Sequence, residues 1–132
     1  MFKRLLTASA LAAGCVLASS VPAQEPIRVG MILEMSGPFA DIGRQLLNGA
    51  RAYVKAHGDS VAGRKIELIV KDTTGASPEI AKRLAQQLIV NDKVDFLAGF
   101  GLTPNALAVA PLASEAKKPM IVMNAAPSVI TP

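Results

Sequence analysis

Short, largely apolar runs alternate along this chain with segments of helical periodicity, and that alternation constrains its fold more than any other feature. The runs at 27–33, 65–70, 94–98 and 120–123 are typical of buried strands, and three helical segments separate them. The resulting order, β-α-β-α-β-α-β, predicts an α/β fold in which right-handed helical crossovers connect a parallel sheet. Strands that are apolar nearly throughout indicate a sheet covered on both faces.

Local signals place the helices. Ser77 and Thr103 each precede a proline, the pattern of a capping hydroxyl followed by proline in the first turn, which predicts helix starts there. Pro111 is expected to end or kink the third helix. The first helix is expected after a loop at 34–43 and before Gly58, with an apolar stripe formed by Leu46, Leu47, Ala50, Tyr53 and Val54.

The N-terminal segment is typical of an export signal. Lys3 and Arg4 precede an apolar run that is shorter than the roughly 20 residues needed to span a bilayer. Small residues then lead to Ala23, which predicts a signal peptide over 1–23, cleavage after Ala23 and a periplasmic location. Lipidation at Cys15 is a weaker alternative, because the residues before it match a lipoprotein site only loosely. Cleavage after Ala23 leaves a chain without cysteine.

Composition argues against a nucleic-acid partner. The formal net charge is +4, but residues 24–132 carry 12 basic and 10 acidic residues without a basic cluster. The chain has no Trp, one Tyr and four Phe, so it lacks the aromatic platform on which bases stack.

Ligands of open parallel sheets bind beyond the carboxyl ends of the strands, which here are the segments 34–42, 72–77, 99–103 and 124–131. These segments are rich in Ser, Thr, Gly and Asn but offer no catalytic constellation, no metal-ligand spacing and no sign of a cofactor. Glu34 and Asp41 are interpreted as solvated charges. His57, at a helix end, is expected to contact a backbone carbonyl at the surface. The chain is therefore not expected to be an enzyme.

The Gly99-Phe100-Gly101 segment follows a strand and precedes a helix, as a dinucleotide-binding fingerprint does. Pro104 replaces the third glycine, however, and no acidic residue follows about 20 positions on. A different use is an anion site at the N-terminus of the third helix, where free N–H groups beside Thr103 suit a carboxylate. The alternative is that Thr103 only caps the helix, and the sequence pattern leaves both interpretations open.

Several motifs occur in the order and spacing of a known family. They are MSGPFADIG at 35–43, NGA at 48–50, the strand-end Asp72, GFGLTPNALAVAPLA from Gly99, and NAAPS at 124–128. Residues 27–131 resemble the first lobe of type I periplasmic solute-binding proteins of ABC importers, in the branched-chain amino acid (Leu/Ile/Val) binding family. The resemblance implies that residues 24–132 are the N-terminal part of an incomplete, Rossmann-like first lobe, with a second lobe outside these 132 residues.

The resemblance also implies a set of ligand-binding residues: Ser36, Ile42, Phe100, Thr103, Ala125, Ala126, Pro127 and Ser128. Thr103 matches the hydroxyl residue that holds the ligand carboxylate, and Ala125 matches a position whose carbonyl accepts from a ligand amino group. Pro127 stands where many members have a Thr that donates to the ligand, so only Ser128 offers a replacement hydroxyl. Ile42 and Phe100 imply apolar contact.

By this resemblance the protein captures a small carboxylate-bearing solute, either a branched-chain amino acid or an aromatic acid. It would then deliver the solute to the permease subunits of an ABC importer in the inner membrane. The alternative is the ligand-sensing domain of a receptor or regulator with the same fold. An enzyme on this sheet is a third class, for which the sequence supplies no reactive residues.

Overall fold

The structure, a computed structural model, describes residues 24–126. The predicted signal peptide, Pro127 and Ser128 lie outside this range. Within it the chain forms a 3-10 turn at Gly37–Phe39 and eight longer or paired elements: strands β1 (Ile27–Leu33), β2 (Ser60–Val61), β3 (Arg64–Asp72), β4 (Phe96–Gly99) and β5 (Met120–Val122), and helices α1 (Ala40–His57), α2 (Pro78–Val90) and α3 (Thr103–Glu115).

The five described strands form one sheet in the order β2-β3-β1-β4-β5. Strands β3, β1, β4 and β5 run parallel, and only the two-residue β2 is antiparallel to its neighbour. The central strand β1 pairs on both sides, so that Met31 lies opposite Val70 of β3 and Ala98 of β4. The predicted α/β architecture with a parallel sheet is confirmed.

Alternate residues of β1 enter two hydrophobic clusters on opposite faces of the sheet. Ile32 is fully buried among residues of α2 and α3, including Leu88 and Val109. Met31 and Leu33 pack on the other face together with Leu47 of α1. Because both faces are covered, the strands need no polar alternation, which is why they appear as apolar runs in the sequence.

Helix α1 begins at Ala40, several residues earlier than expected, because Gly37–Phe39 already forms a helical turn. The helix lies close against the end of β1, where a Cβ atom at position 43 would overlap the Glu34 carbonyl, so only glycine fits there. Tyr53 does not join the apolar stripe: it is 64% exposed, and its ring stacks on His57 with centroids 4.1 Å apart. His57 Nδ1 lies 3.0 Å from the Tyr53 carbonyl oxygen, which confirms its expected surface contact.

Pro111 does not end α3, which continues to Glu115. Proline removes the N–H that would bond to the Leu107 carbonyl. Both residues lie on the exposed side of the helix, where that carbonyl can face solvent instead of being buried without a partner. Ser77 stands at the N-cap of α2 as expected, but its side chain makes no capping hydrogen bond.

The hairpin that joins β2 to β3 was not predicted. Val61 pairs with Arg64 across a two-residue turn in which Ala62 and Gly63 have φ angles of 50° and 80°. Positive φ at both central residues defines the type I′ turn, which matches the twist of the strands and strongly favours Asn-Gly. Alanine gives almost no sequence signal for such a turn.

Replacing the strained alanine should stabilise the chain. Ala62→Asn is expected to raise the free energy of unfolding by about 0.5–1 kcal/mol, because asparagine tolerates the left-handed region better than alanine does. Urea denaturation followed by circular dichroism measures the difference. Gly63→Ala is the matched control and should be destabilising, since it adds a second Cβ at positive φ. An Ala62→Asn variant less stable than the parent would contradict this account of the turn.

Candidate functional site

The carboxyl ends of β1, β3, β4 and β5 meet at one end of the sheet, which we call the carboxyl edge: residues 34–36, 73–77, 100–103 and 123–126. From β1 the chain passes through α1 to β3 on one side, and α2 then leads to β4 on the other side of β1. The strand order therefore reverses between β1 and β4. Parallel sheets bind ligands in the crevice at such a point, which here lies between the loops that follow β1 and β4.

Asp72 joins the loops that follow β1 and β3. Its Oδ1 accepts hydrogen bonds from the backbone N–H groups of Met35 (2.8 Å), Ser36 (3.3 Å) and Thr74 (2.8 Å). The Ser36 hydroxyl donates to Oδ2 at 2.6 Å. Ser36, one of the sequence-predicted site residues, thus lies at the carboxyl edge with its side chain bonded to Asp72.

These contacts determine the charge state of Asp72. Partial burial disfavours the ionised carboxylate, but hydrogen bonds from the Ser36 hydroxyl and from three backbone N–H groups outweigh it. The pKa of the Asp72 carboxyl is consequently held below its ordinary value. At neutral pH the Asp72 carboxylate is therefore ionised, and its hydrogen bonds hold the loop that follows β1.

Asn105, in the first turn of α3, connects three strand and helix ends through one buried amide. Its Nδ2 donates to Glu34 Oε1 and to the Gly75 carbonyl, both at 2.8 Å, with a longer contact of 3.3 Å to Thr73 Oγ1. Its Oδ1 accepts from the Ser77 N–H at 2.9 Å. The amide is 0% exposed, so these bonds are made without competition from solvent.

Glu34 is not the solvated charge that the sequence suggested, because it is completely buried directly after the end of β1. Asn105 holds Oε1, whereas Oε2 has no hydrogen-bond partner among residues 24–126. A Cβ atom at position 101 would overlap Oε2, so the glycine lets the β4 loop close over the carboxylate. Asp41, by contrast, is exposed and pairs with Arg44, as a surface charge does.

Thr103 is the first residue of α3, and the N-cap is Leu102, which has no side chain able to cap. The interpretation of Thr103 as a helix cap is therefore wrong. The first N–H groups of a helix lack intrahelical partners, and Pro104 has no N–H. Among residues 24–126 the N–H groups of Thr103 and Asn105 make no hydrogen bond, and Thr103 is partly exposed at the carboxyl edge.

Three hydrogen bonds attach the segment after β5 to the β4 loop. The Met123 N–H donates to the Gly99 carbonyl at 2.8 Å, and the Ala125 N–H donates to the Phe100 carbonyl at 3.0 Å. Asn124 Nδ2 donates to the Gly101 carbonyl at 2.8 Å. Ala125 is half-buried and Ala126 exposed, so both predicted residues lie next to the loop that leads to Thr103.

The Phe100 ring does not lie at the cleft, contrary to expectation. It is 0% exposed and packs in the core with Ala106 and Val109. The residue adopts a left-handed φ of 63°, which goes with a ring directed into the core. Ile42 of α1 is an apolar residue next to the carboxyl edge: its Cγ2 lies 2.9 Å from where a Cβ of residue 101 would be.

Sequence reasoning missed Asn105 and Glu34. Their signal is weak: a single amide on the helical stripe that also contains Ala106 and Val109, and one acid directly after a buried strand.

Within residues 24–126 no three His, Cys, Asp or Glu side chains are grouped to hold a metal ion. Nor does the described part of the chain contain a helix with the length and hydropathy to cross a membrane.

The Asp72 contacts predict a defined acid sensitivity. A lowered pKa in the folded state adds stability that is present above the unfolded value of about 3.9 and is lost as the pH falls through the folded pKa. Asp72→Asn should lower the free energy of unfolding at pH 7 by about 1–2 kcal/mol and flatten its decrease below about pH 5. Urea titrations between pH 7 and pH 2.5 test this, with the exposed Asp41→Asn as control. If the free energy of unfolding falls equally steeply below about pH 5 in Asp72→Asn and in the parent, Asp72 is not the group responsible for the acid sensitivity.

The family comparison gives a direct match. The model of the periplasmic binding protein family matches residues 26–132, which is most of the chain. A Leu/Ile/Val-binding protein homolog 6 of Brucella abortus (strain 2308) is 42% identical over 114 residues, covering 86% of this chain and 29% of the relative. The chain therefore spans less than a third of the length of that curated relative.

Solved structures of similar fold extend this match. A solute-binding protein of an ABC transporter from Rhodopseudomonas palustris BisB5, in complex with 3,4-dihydroxybenzoic acid, is 57% identical with a TM-score of 0.77. The alignment covers 80% of this chain and 29% of that one. The branched-chain amino acid transporter substrate-binding protein LivJ from Streptococcus pneumoniae, in complex with isoleucine, is 25% identical with a TM-score of 0.72, over 80% of this chain and 31% of that one.

The parallel sheet is thus that of type I periplasmic binding proteins, of which the described residues form only a part. The family resemblance predicted from the sequence motifs is confirmed. The curated relative is a Leu/Ile/Val-binding protein homolog, and the two solved neighbours are a solute-binding protein of an ABC transporter and a substrate-binding protein of a branched-chain amino acid transporter. This chain belongs to the periplasmic binding protein family.

Proposed function

We propose that this chain is the N-terminal part of a two-lobed, non-enzymatic receptor that captures a small carboxylate-bearing solute in the periplasm. The receptor then delivers the solute to the permease subunits of an ABC importer. The observation that carries the proposal is the N-terminus of α3 at the carboxyl edge. There, the N–H groups of Thr103 and Asn105 have no hydrogen-bond partner among residues 24–126, and Thr103 is partly exposed next to the switch point of the sheet.

In this proposal Thr103 binds the ligand carboxylate through its hydroxyl and its N–H, with the helix dipole adding to the attraction. Ile42 supplies apolar contact at the opposite side of the crevice. Ser36, Ala125 and Ala126 form the neighbouring walls; Pro127 and Ser128, which the family resemblance also assigns to the ligand site, lie outside the described range. The residues of the second lobe would close over the ligand by hinge bending.

An aromatic acid is the better-supported ligand class. The neighbour that is 57% identical binds 3,4-dihydroxybenzoic acid, whereas the one that binds isoleucine is 25% identical. Pro127 also lacks the hydroxyl and the N–H that an α-amino acid would use at that position. A branched-chain amino acid is the second candidate, supported by the 42% identical Leu/Ile/Val-binding relative.

A ligand panel tests this function in the receptor encoded by the complete reading frame that contains this chain. Isothermal titration with benzoate, 4-hydroxybenzoate, 3,4-dihydroxybenzoate, leucine, isoleucine and valine is expected to give saturable binding of an aromatic acid. Binding of the amino acids alone would overturn the aromatic assignment. Binding of neither class would contradict the proposed function, and a membrane helix followed by a signalling domain in the reading frame would favour a sensor.

Thr103 provides the residue-level prediction. Thr103→Ala should weaken carboxylate binding about 10-fold or more, the effect of losing one hydrogen bond to a charged group. Thr103→Ser keeps the hydroxyl and should retain most of the affinity. Ser114→Ala removes a hydroxyl from the opposite end of the same helix and should change nothing. If Thr103→Ala binds like the parent, the carboxylate is held elsewhere.

A further inference from the structure

We propose that Asn105 and Glu34 are positioning residues for ligand capture, and that their buried hydrogen bond fixes the first turn of α3 in the orientation that Thr103 needs. This inference rests on the proposed function, since it concerns the same carboxylate site. Neither side chain is exposed at the edge, so both would act through the helix instead of touching the ligand.

The N-terminus of α3 has little to hold it locally. Leu102 at the N-cap offers no side-chain acceptor, and Pro104 offers no N–H. The third residue of a helix often reaches back to its own N-cap in a capping box. Asn105 occupies that third position, but its side chain forms hydrogen bonds with residues outside the helix: Glu34, Gly75 and Ser77. The orientation of the turn is thus set by the neighbouring strands.

Glu34 supplies the link to β1 and to the switch point. Its Oε1 accepts the Asn105 hydrogen bond at 2.8 Å, and its carboxylate fills the space beneath Gly101. Gly101 stands two residues before Thr103, so the carboxylate supports the loop and the helix start together. Removing either partner leaves a buried polar group without its bond, which is costly and is relieved most easily by movement of the turn.

The geometry also distinguishes the roles of charge and hydrogen bonding. Glutamine at position 34 retains an oxygen that can accept from Asn105 Nδ2, whereas alanine retains nothing. A positioning role therefore predicts that Glu34→Gln preserves ligand affinity and that Glu34→Ala loses it. The paired substitution Glu34→Ala with Asn105→Ala should be little worse than Asn105→Ala alone, because Asn105→Ala already removes the hydrogen bond to Glu34.

The test measures affinity and stability together in the receptor from the complete reading frame, using 4-hydroxybenzoate, benzoate and leucine as probes. Asn105→Ala and Glu34→Ala are expected to raise the Kd at least 10-fold, while Glu34→Gln stays within about 3-fold of the parent. Val109→Ala, a buried substitution on the same helix, is the control: it should lower the Tm comparably with a Kd change under 2-fold. Equal Kd changes in Asn105→Ala and Val109→Ala would overturn the inference.

Amide hydrogen exchange separates this inference from the ligand proposal. In Asn105→Ala, exchange of the Ser77 and Ala106 amides should accelerate at least 10-fold more than in Val109→Ala, because only the former releases the turn. Failure of every probe to bind the parent would reject the proposed function, but this exchange pattern would still report the positioning. Unchanged exchange at both amides would reject the positioning role, whatever the ligand.

Discussion

The hydrogen bond between the Asn105 amide and the Glu34 carboxylate is the interaction on which the carboxyl edge depends. It joins a residue of α3 to the residue that follows β1, and these two residues are 71 positions apart in the chain. The same amide also holds the β3 loop and the start of α2. A buried amide satisfies its donors and acceptor only in one arrangement. These hydrogen bonds therefore fix the loops at the switch point relative to one another.

Asp72 also holds loops together at the carboxyl edge, but its burial and hydrogen bonding differ from those of Glu34. Glu34 is fully buried, and one of its oxygens has no hydrogen-bond partner within residues 24–126, whereas the oxygens of Asp72 receive hydrogen bonds from the two loops around it. Carboxylates tied to backbone N–H groups hold loops rigidly. Glu34, which looks like a solvated charge in the sequence, and the strand-end Asp72 thus both support the loops from within, whereas Thr103, Ile42 and Ala125 beside them are only partly buried.

Hydrophobic periodicity predicted the parallel sheet, since Ile32, Leu88 and Val109 must each face a covered surface. It could not predict the β2–β3 hairpin, whose turn residue Ala62 carries no positional preference, nor the passage of α3 through Pro111. At the site, strand ends and the family resemblance placed Thr103, Ile42 and Ala125 at one edge. The predicted position of the Phe100 ring was wrong, because the backbone φ angle decides which way a strand-end residue points and the hydrophobic pattern does not encode that angle.

Under the proposed function, Glu34 and Asp72 also bear on which ligands the edge would recognise. An α-amino acid needs acceptors for its ammonium group, and a carboxylate is the strongest one available in proteins. Of the two acids that support the described edge, Glu34 lies buried beneath Gly101 and Asp72 is occupied by its loops. The described edge thus presents donors for a carboxylate and an apolar contact from Ile42, but no free carboxylate from either support. That distribution matches an aromatic acid more closely than a zwitterion, whose ammonium group would depend on acceptors outside these loops.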